Sequence, residues 1–114
     1  KRMPCLMIHT NVEIADKPAF LMRCSSETAA ALGKPESYVM VKVNDMQVML
    51  FAGTDAPLAF VELKSLGLTT AQTADISATL CDLLQQELGI DAGRVYIEFA
   101  APERAMFGWN GGTF

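Results

Sequence analysis

The sequence predicts an α+β fold in which a β-α-β unit is written twice, forming a four-stranded mixed sheet with two helices on one face and short edge strands. Three observations carry this. Two stripes recur every four residues, Phe20-Cys24-Thr28-Leu32 and Ile76-Leu80-Leu84-Leu88, as on one face of a helix. Each stripe ends in Leu-Gly and is followed a few residues later by an alternating strand-like run. The two copies overlay at an offset of 56 residues (88 − 32), the mark of an internal duplication. A helical crossover in each half requires its two strands to run parallel.

Taken in order, residues 4–10 form an apolar first strand, with a proline at its mouth. Asp16-Lys17-Pro18 then opens a helix, with a carboxylate able to cap it and a proline in the first turn, where a missing N–H costs nothing. Gly33 followed by Lys34-Pro35 stops it. Residues 38–44 alternate, with Val39, Val41 and Val43 on one face and Tyr38, Met40 and Lys42 on the other. Asn44-Asp45 turns the chain into a short strand at 47–51. In the second half, residues 57–63 are a strand, Thr69-x-x-Gln72 is a capping box, and Gly89 ends the second helix. The last strand, 94–99, sorts Arg94, Tyr96 and Glu98 from Val95, Ile97 and Phe99.

Composition narrows the function classes. The 114 residues suit one domain. Lys1 and Arg2 precede a methionine placed like an initiator, so residues 1–3 are set aside as a remnant of expression plus initiator, and 4–114 read as one domain. A net charge of −4 with scattered basic residues argues against nucleic acid or an anionic membrane as partner. Three cysteines without CxxC spacing signal neither a disulfide framework nor a redox motif, which suits a reduced, cytoplasmic setting. The single histidine, His9, has no clustered co-ligands, so it reads as a strand-surface residue and no metal or cofactor is expected. No signal peptide or membrane span is read, which leaves leaderless secretion open.

With 51% hydrophobic and only 19% charged residues, the chain has more apolar surface than one small domain hides. Two helices cover one sheet face, yet Tyr38, Met40, Tyr96, Cys5 and Met7 fall on the other. Closing three such sheets about a threefold axis buries that face, and the segments at 47–51 and 106–109 then pair with neighbouring edges. A homotrimer is therefore expected.

Met3-Pro4-Cys5, Thr10-Asn11-Val12, Gly33-Lys34-Pro35 with Tyr38, Phe51-Ala52-Gly53-Thr54, Ser65-Leu66-Gly67, Arg94-Val95-Tyr96-Ile97 and Gly108-Trp109-Asn110-Gly111-Gly112-Thr113-Phe114 occur in order along the chain. Together they resemble the macrophage migration inhibitory factor family of the tautomerase superfamily. The resemblance runs from Met3 to Phe114. It implies homotrimers of duplicated β-α-β subunits and a cofactor-independent keto–enol tautomerase acting on small aromatic α-keto acids of the phenylpyruvate type, with D-dopachrome methyl ester as a surrogate. The alternative is a cytokine-like protein that binds a receptor or other partner and keeps the pocket as a vestige.

Position by position, the resemblance makes Pro4 the catalytic base once its nitrogen is free. Lys34 binds the substrate carboxylate or enolate, the Leu66 N–H is a further donor, and Tyr96 comes from a neighbouring subunit. Tyr38, Phe107, Trp109 and Phe114 form apolar walls. The chemistry is coherent: burial and a nearby ammonium both disfavour the protonated form of an otherwise too-basic pyrrolidine nitrogen. Read alone, the same residues have plainer roles. Lys34 offsets a helix dipole, Tyr96 and Trp109 pack, and Pro4 starts a strand. Two departures bear on substrate choice. Glu98 replaces an asparagine of animal members and sets a carboxylate at the pocket mouth, and Phe107 narrows the entrance. Leu58-Ala59-Phe60-Val61 stands where animal members carry CxxC, so a thiol oxidoreductase activity is not expected.

Overall fold

A computed structural model describes residues 3–114; Lys1 and Arg2, set apart in the sequence as a remnant, lie outside the described residues. Strand β1 (Cys5–Thr10) leads to helix α1 (Lys17–Leu32) and strand β2 (Met40–Asn44), and then β3 (Ala59–Lys64), α2 (Thr70–Leu88) and β4 (Val95–Ala100) repeat the plan. A hairpin of β5 (Gly108–Trp109) and β6 (Gly112–Thr113) closes the chain.

The caps are those the sequence supplies. Asp16 accepts from the Ala19 N–H at 3.1 Å, and Thr69 with Gln72 forms the capping box ahead of α2. Such caps contribute about 1 kcal/mol each. At the end of α1, Gly33 turns left-handed at φ 63°, and the N–H groups of Gly33 and Lys34 close onto Ala30 and Ala29. This Schellman geometry aims Lys34 away from the helix axis. Both stripes face the sheet: Phe20, Cys24, Thr28, Leu32, Ile76, Leu80 and Leu84 are buried, and Leu88 packs at the margin.

The sheet order is β2-β1-β3-β4, with β1 parallel to β2, β3 parallel to β4, and the halves joined by the antiparallel pair β1–β3. Leu6, Ile8, Val61 and Leu63 point to the helices and form the core with them. Short 3₁₀ turns, Glu36–Tyr38 and Ala92–Arg94, occupy corresponding places in the two halves. Their offset (92 − 36) matches that of the helix stripes.

The opposite face is open and mixed. His9 stacks on Phe60 and lies between Asn44 at 3.1 Å and Glu62 at 2.9 Å, which fits the tautomer with the proton on Nε2. His9 is thus the strand-surface residue its surroundings in the sequence predict. Among the described residues, no group of three metal-binding side chains gathers, and no helix is long and apolar enough to cross a membrane.

Two expectations need correction. Tyr38 is not a strand residue: Pro35, with φ −62°, starts the 3₁₀ turn, and β2 begins only at Met40. A proline fixes the backbone for a turn and delays the strand. The segment 47–51 makes no ladder within the chain. It leaves the turn at Met46 (φ 54°) and ends in a single bridge between Phe51 and Thr54 around left-handed Ala52 and Gly53. Val48 and Leu50 stay exposed along it.

Candidate active site

The mouth of β1 and the C-terminal hairpin enclose a cavity of about 290 Å³, at the small end for a ligand pocket and of the order of one aromatic ring with a short side chain. It is lined by Met3, Pro4 and Cys5 at the start of the chain, by Tyr38 and Met40 ahead of and at the start of β2, and by Phe107, Trp109 and Phe114 of the C-terminal segment. Five residues singled out from the sequence, Pro4, Tyr38, Phe107, Trp109 and Phe114, therefore meet here.

Each wall has a local cause. The Pro4 carbonyl accepts from the Met40 N–H at 2.9 Å, which ties the start of β1 to the start of β2. Asn110 and Gly111 adopt φ 52° and 79°, the left-handed pair that a two-residue hairpin turn needs. The hairpin brings Trp109 against Phe114, stacked at 5.5 Å, with Tyr38 edge-on to Trp109 at 6.1 Å and Phe107 tilted against Phe114 at 6.2 Å. The Phe114 N–H bonds to the Phe107 carbonyl at 3.1 Å, and Arg104 donates to the Phe114 carbonyl at 3.3 Å. This tail is a built wall.

The remaining candidates lie elsewhere in the chain. Lys34 Nζ donates to the Ser65 hydroxyl and to the Leu66 carbonyl, both at 2.6 Å. Its ammonium is thereby pinned to the loop after β3, at the end of the sheet where Pro4 sits. Ser65 is fully buried, and no local pattern in the sequence signals its contact with the lysine. Tyr96 and Glu98 share the open face of β4, opposite Phe60 and Glu62, and neither lines the Pro4 cavity. Tyr96 is 67% exposed. It belongs to a second apolar hollow of about 450 Å³, where its ring lies 4.9 Å from that of Phe51. Met3 and Met40 line the cavity without being signalled as cavity residues by the sequence, where Met40 stands only as an apolar residue of the uncovered sheet face.

Burial favours the neutral form of each thiol. Burial pushes the Cys24 pKa up to about 12, and burial also raises Cys5 and Cys81. The thiol of Cys5 thus borders the cavity as a neutral group.

A family model described as macrophage migration inhibitory factor matches residues 3–114. The macrophage migration inhibitory factor of Mus musculus is 41% identical, over 98% of this chain and 99% of that protein. A homolog from Brugia malayi is 42% identical, also over 98% and 99%. Among solved structures, the macrophage migration inhibitory factor homologue from Prochlorococcus marinus superposes with a TM-score of 0.92 at 39% identity, covering 96% of this chain and 98% of that one. The factor from Trichinella spiralis gives 0.91 at 38%, covering 96% and 99%. Whole-length matches of this kind, on a fold of the same topology, make the chain a member of the macrophage migration inhibitory factor family.

Proposed function

We propose that the protein is a keto–enol tautomerase of small aromatic α-keto acids, working as a homotrimer with Pro4 as the base once the chain begins there. The observation that carries this reading is that Pro4 lines a cavity of about 290 Å³ together with Tyr38, Phe107, Trp109 and Phe114. A free pyrrolidine nitrogen there takes a proton from the carbon next to the keto group. The electron pair moves onto the carbonyl oxygen, and Lys34 steadies the resulting enolate. The protonated nitrogen then gives its proton to that oxygen, and the ketone has become the enol with no cofactor consumed. Burial and the Lys34 charge both favour the neutral amine this step needs.

Trimer formation supplies what a single chain keeps apart. Met40 and Tyr96, on the outer strands β2 and β4, are 66% and 67% exposed, so a neighbouring sheet would cover both. It would also bring the Tyr96 and Glu98 face of one subunit toward the cavity of the next. Glu98 then opposes an anionic substrate at the mouth, and the Leu66 N–H adds a donor beside Lys34.

The test uses phenylpyruvate with a chain whose first residue is Pro4, confirmed by intact mass, beside Pro4→Gly and the chain that retains Met3. Tautomerisation by the first and its loss in the other two supports the reading. Equal kcat/KM in all three rejects Pro4 as base. Light scattering should give three chains per particle, and a monomer at micromolar concentration removes the shared site.

A further inference from the structure

The second hollow is the second half's copy of the Pro4 cavity. Overlaying β1 on β3 so that their ladders and faces agree puts Met3, Pro4 and Cys5 over Leu58, Ala59 and Phe60, because Cys5 pairs with Met40 as Phe60 pairs with Tyr96. Buried Thr10 then falls on buried Ser65. The 56-residue offset of the remaining elements sets Lys34 over Ile90, Tyr38 over Arg94, Met40 over Tyr96 and Phe107 over Phe51. The hollows are lined by corresponding positions, Pro4, Met40 and Phe107 in one and Ala59, Tyr96 and Phe51 in the other. The copy has lost both the base and the cation, to Ala59 and to fully buried Ile90.

What replaces them is a set of contacts converging on Tyr96. Arg94 donates from Nε to the Pro57 carbonyl at 3.0 Å, and from one terminal nitrogen to the carbonyls of Thr54 at 3.1 Å and Ala56 at 3.0 Å. Its guanidinium lies 5.3 Å from the centre of the Phe51 ring, in cation–π range. Phe51 in turn holds the Tyr96 ring. The 54–57 segment has no ladder of its own, so a planar fork fastening three carbonyls fixes the loop that carries Phe51.

We propose that Arg94 is a positioning residue: with Phe51 it converts the degenerate copy of the cavity into a holder that sets Tyr96 for the Pro4 site of the adjacent subunit. This rests on the tautomerase reading for its catalytic consequence and on this chain's own contacts for the holding. The two parts are tested separately. The protein has two tyrosines, so 3-fluorotyrosine labelling gives two fluorine resonances, assigned with Tyr38→Phe. In Arg94→Ala the Tyr96 resonance should move while that of Tyr38 stays, whether or not the enzyme turns over. Phe51→Leu, which loosens the same holder from its other end, should move it too. In the active trimer, Arg94→Ala should raise KM about fivefold with kcat little changed, and the same change in a Tyr96→Ala background should cost less than about twofold, as coupled neighbours do. An unmoved Tyr96 resonance in both variants overturns the holder. An equal KM cost with and without Tyr96 overturns the path through it, since a general loss of structure would appear in both backgrounds. If the chain beginning at Pro4 shows no turnover, the tautomerase reading fails while the fluorine result still decides the role of Arg94.

Discussion

Thr28 is the one buried side chain among the described residues whose hydroxyl finds no partner. It is 1% exposed, on the α1 stripe between Cys24 and Leu32. At the corresponding place in the second half stands Leu84, also buried. A buried hydroxyl without a partner costs about 1–3 kcal/mol relative to the same group in water. Thr28→Val keeps the branched shape, and threonine and valine have similar helix propensities. The substitution should therefore stabilise the protein by about 1–2 kcal/mol, from lost desolvation cost rather than new packing. For a chain of this length, 1 kcal/mol corresponds to about 4 °C in Tm. The assay is urea unfolding at fixed protein concentration, because the proposed trimer would make the measured stability depend on concentration. The midpoint should rise with an unchanged m-value. Thr28→Ala, which also removes a methyl from the core, should gain less than Thr28→Val or lose stability. A valine variant no more stable than the parent would show that the hydroxyl is satisfied, and the argument would be wrong.

Other outcomes follow from the site and the caps. Lys34→Ala should raise KM for phenylpyruvate and lower kcat/KM about 10²-fold, the usual order for losing one donor to a developing oxyanion, in steady-state kinetics. Glu98→Gln should lower KM for the same anion by removing a like charge, and an unchanged KM would place Glu98 outside the mouth. Asp45, bonded to the Ile14 N–H at 3.0 Å and to Lys17 at 3.1 Å, has its pKa held below the ordinary carboxylate value, first by that backbone bond. A depressed folded-state pKa gives stability that is present above the unfolded value and is lost as pH falls through the folded one. The parent should therefore be more stable than Asp45→Asn near neutral pH, and that advantage should shrink as pH falls below the ordinary carboxylate pKa, as urea midpoints across the acid range would report. Cys24, with its thiol pushed up to about 12, should resist iodoacetamide until the protein is unfolded, as peptide mass mapping would report.

How much of this was legible in the sequence depends on how local its cause is. Helix stripes, glycine stops, the capping box and the 56-residue repeat are statements about neighbours a few residues apart, and the structure follows them closely. Tyr38 falls outside the strand because the alternation of 38–44 runs back into the turn that Pro35 begins, which period alone does not reveal. The hairpin of β5 and β6 does have a local signal, Asn110-Gly111, the strongest short turn pair in the chain, even though that pair also belongs to the terminal motif. Lys34 illustrates the other limit. Its Schellman position was readable, whereas its bonds to Ser65 and Leu66 join residues more than thirty positions apart. The Phe51–Tyr96 contact and the Arg94 clamp are longer-range still, and no periodicity encodes them.

The antiparallel seam between β1 and β3 has a consequence for how the chain reaches its native state. Each β-α-β half is continuous in sequence and its strands pair over a separation of 35 residues (40 − 5), while the seam pairs Cys5 with Lys64 over 59 (64 − 5). Loop-closure entropy then orders the events: the halves condense first and meet along the seam afterwards. Substitutions at Ile8 or Val61, which face each other there, should change the folding rate less than the unfolding rate, and so govern how long the native state lasts more than how quickly it is reached.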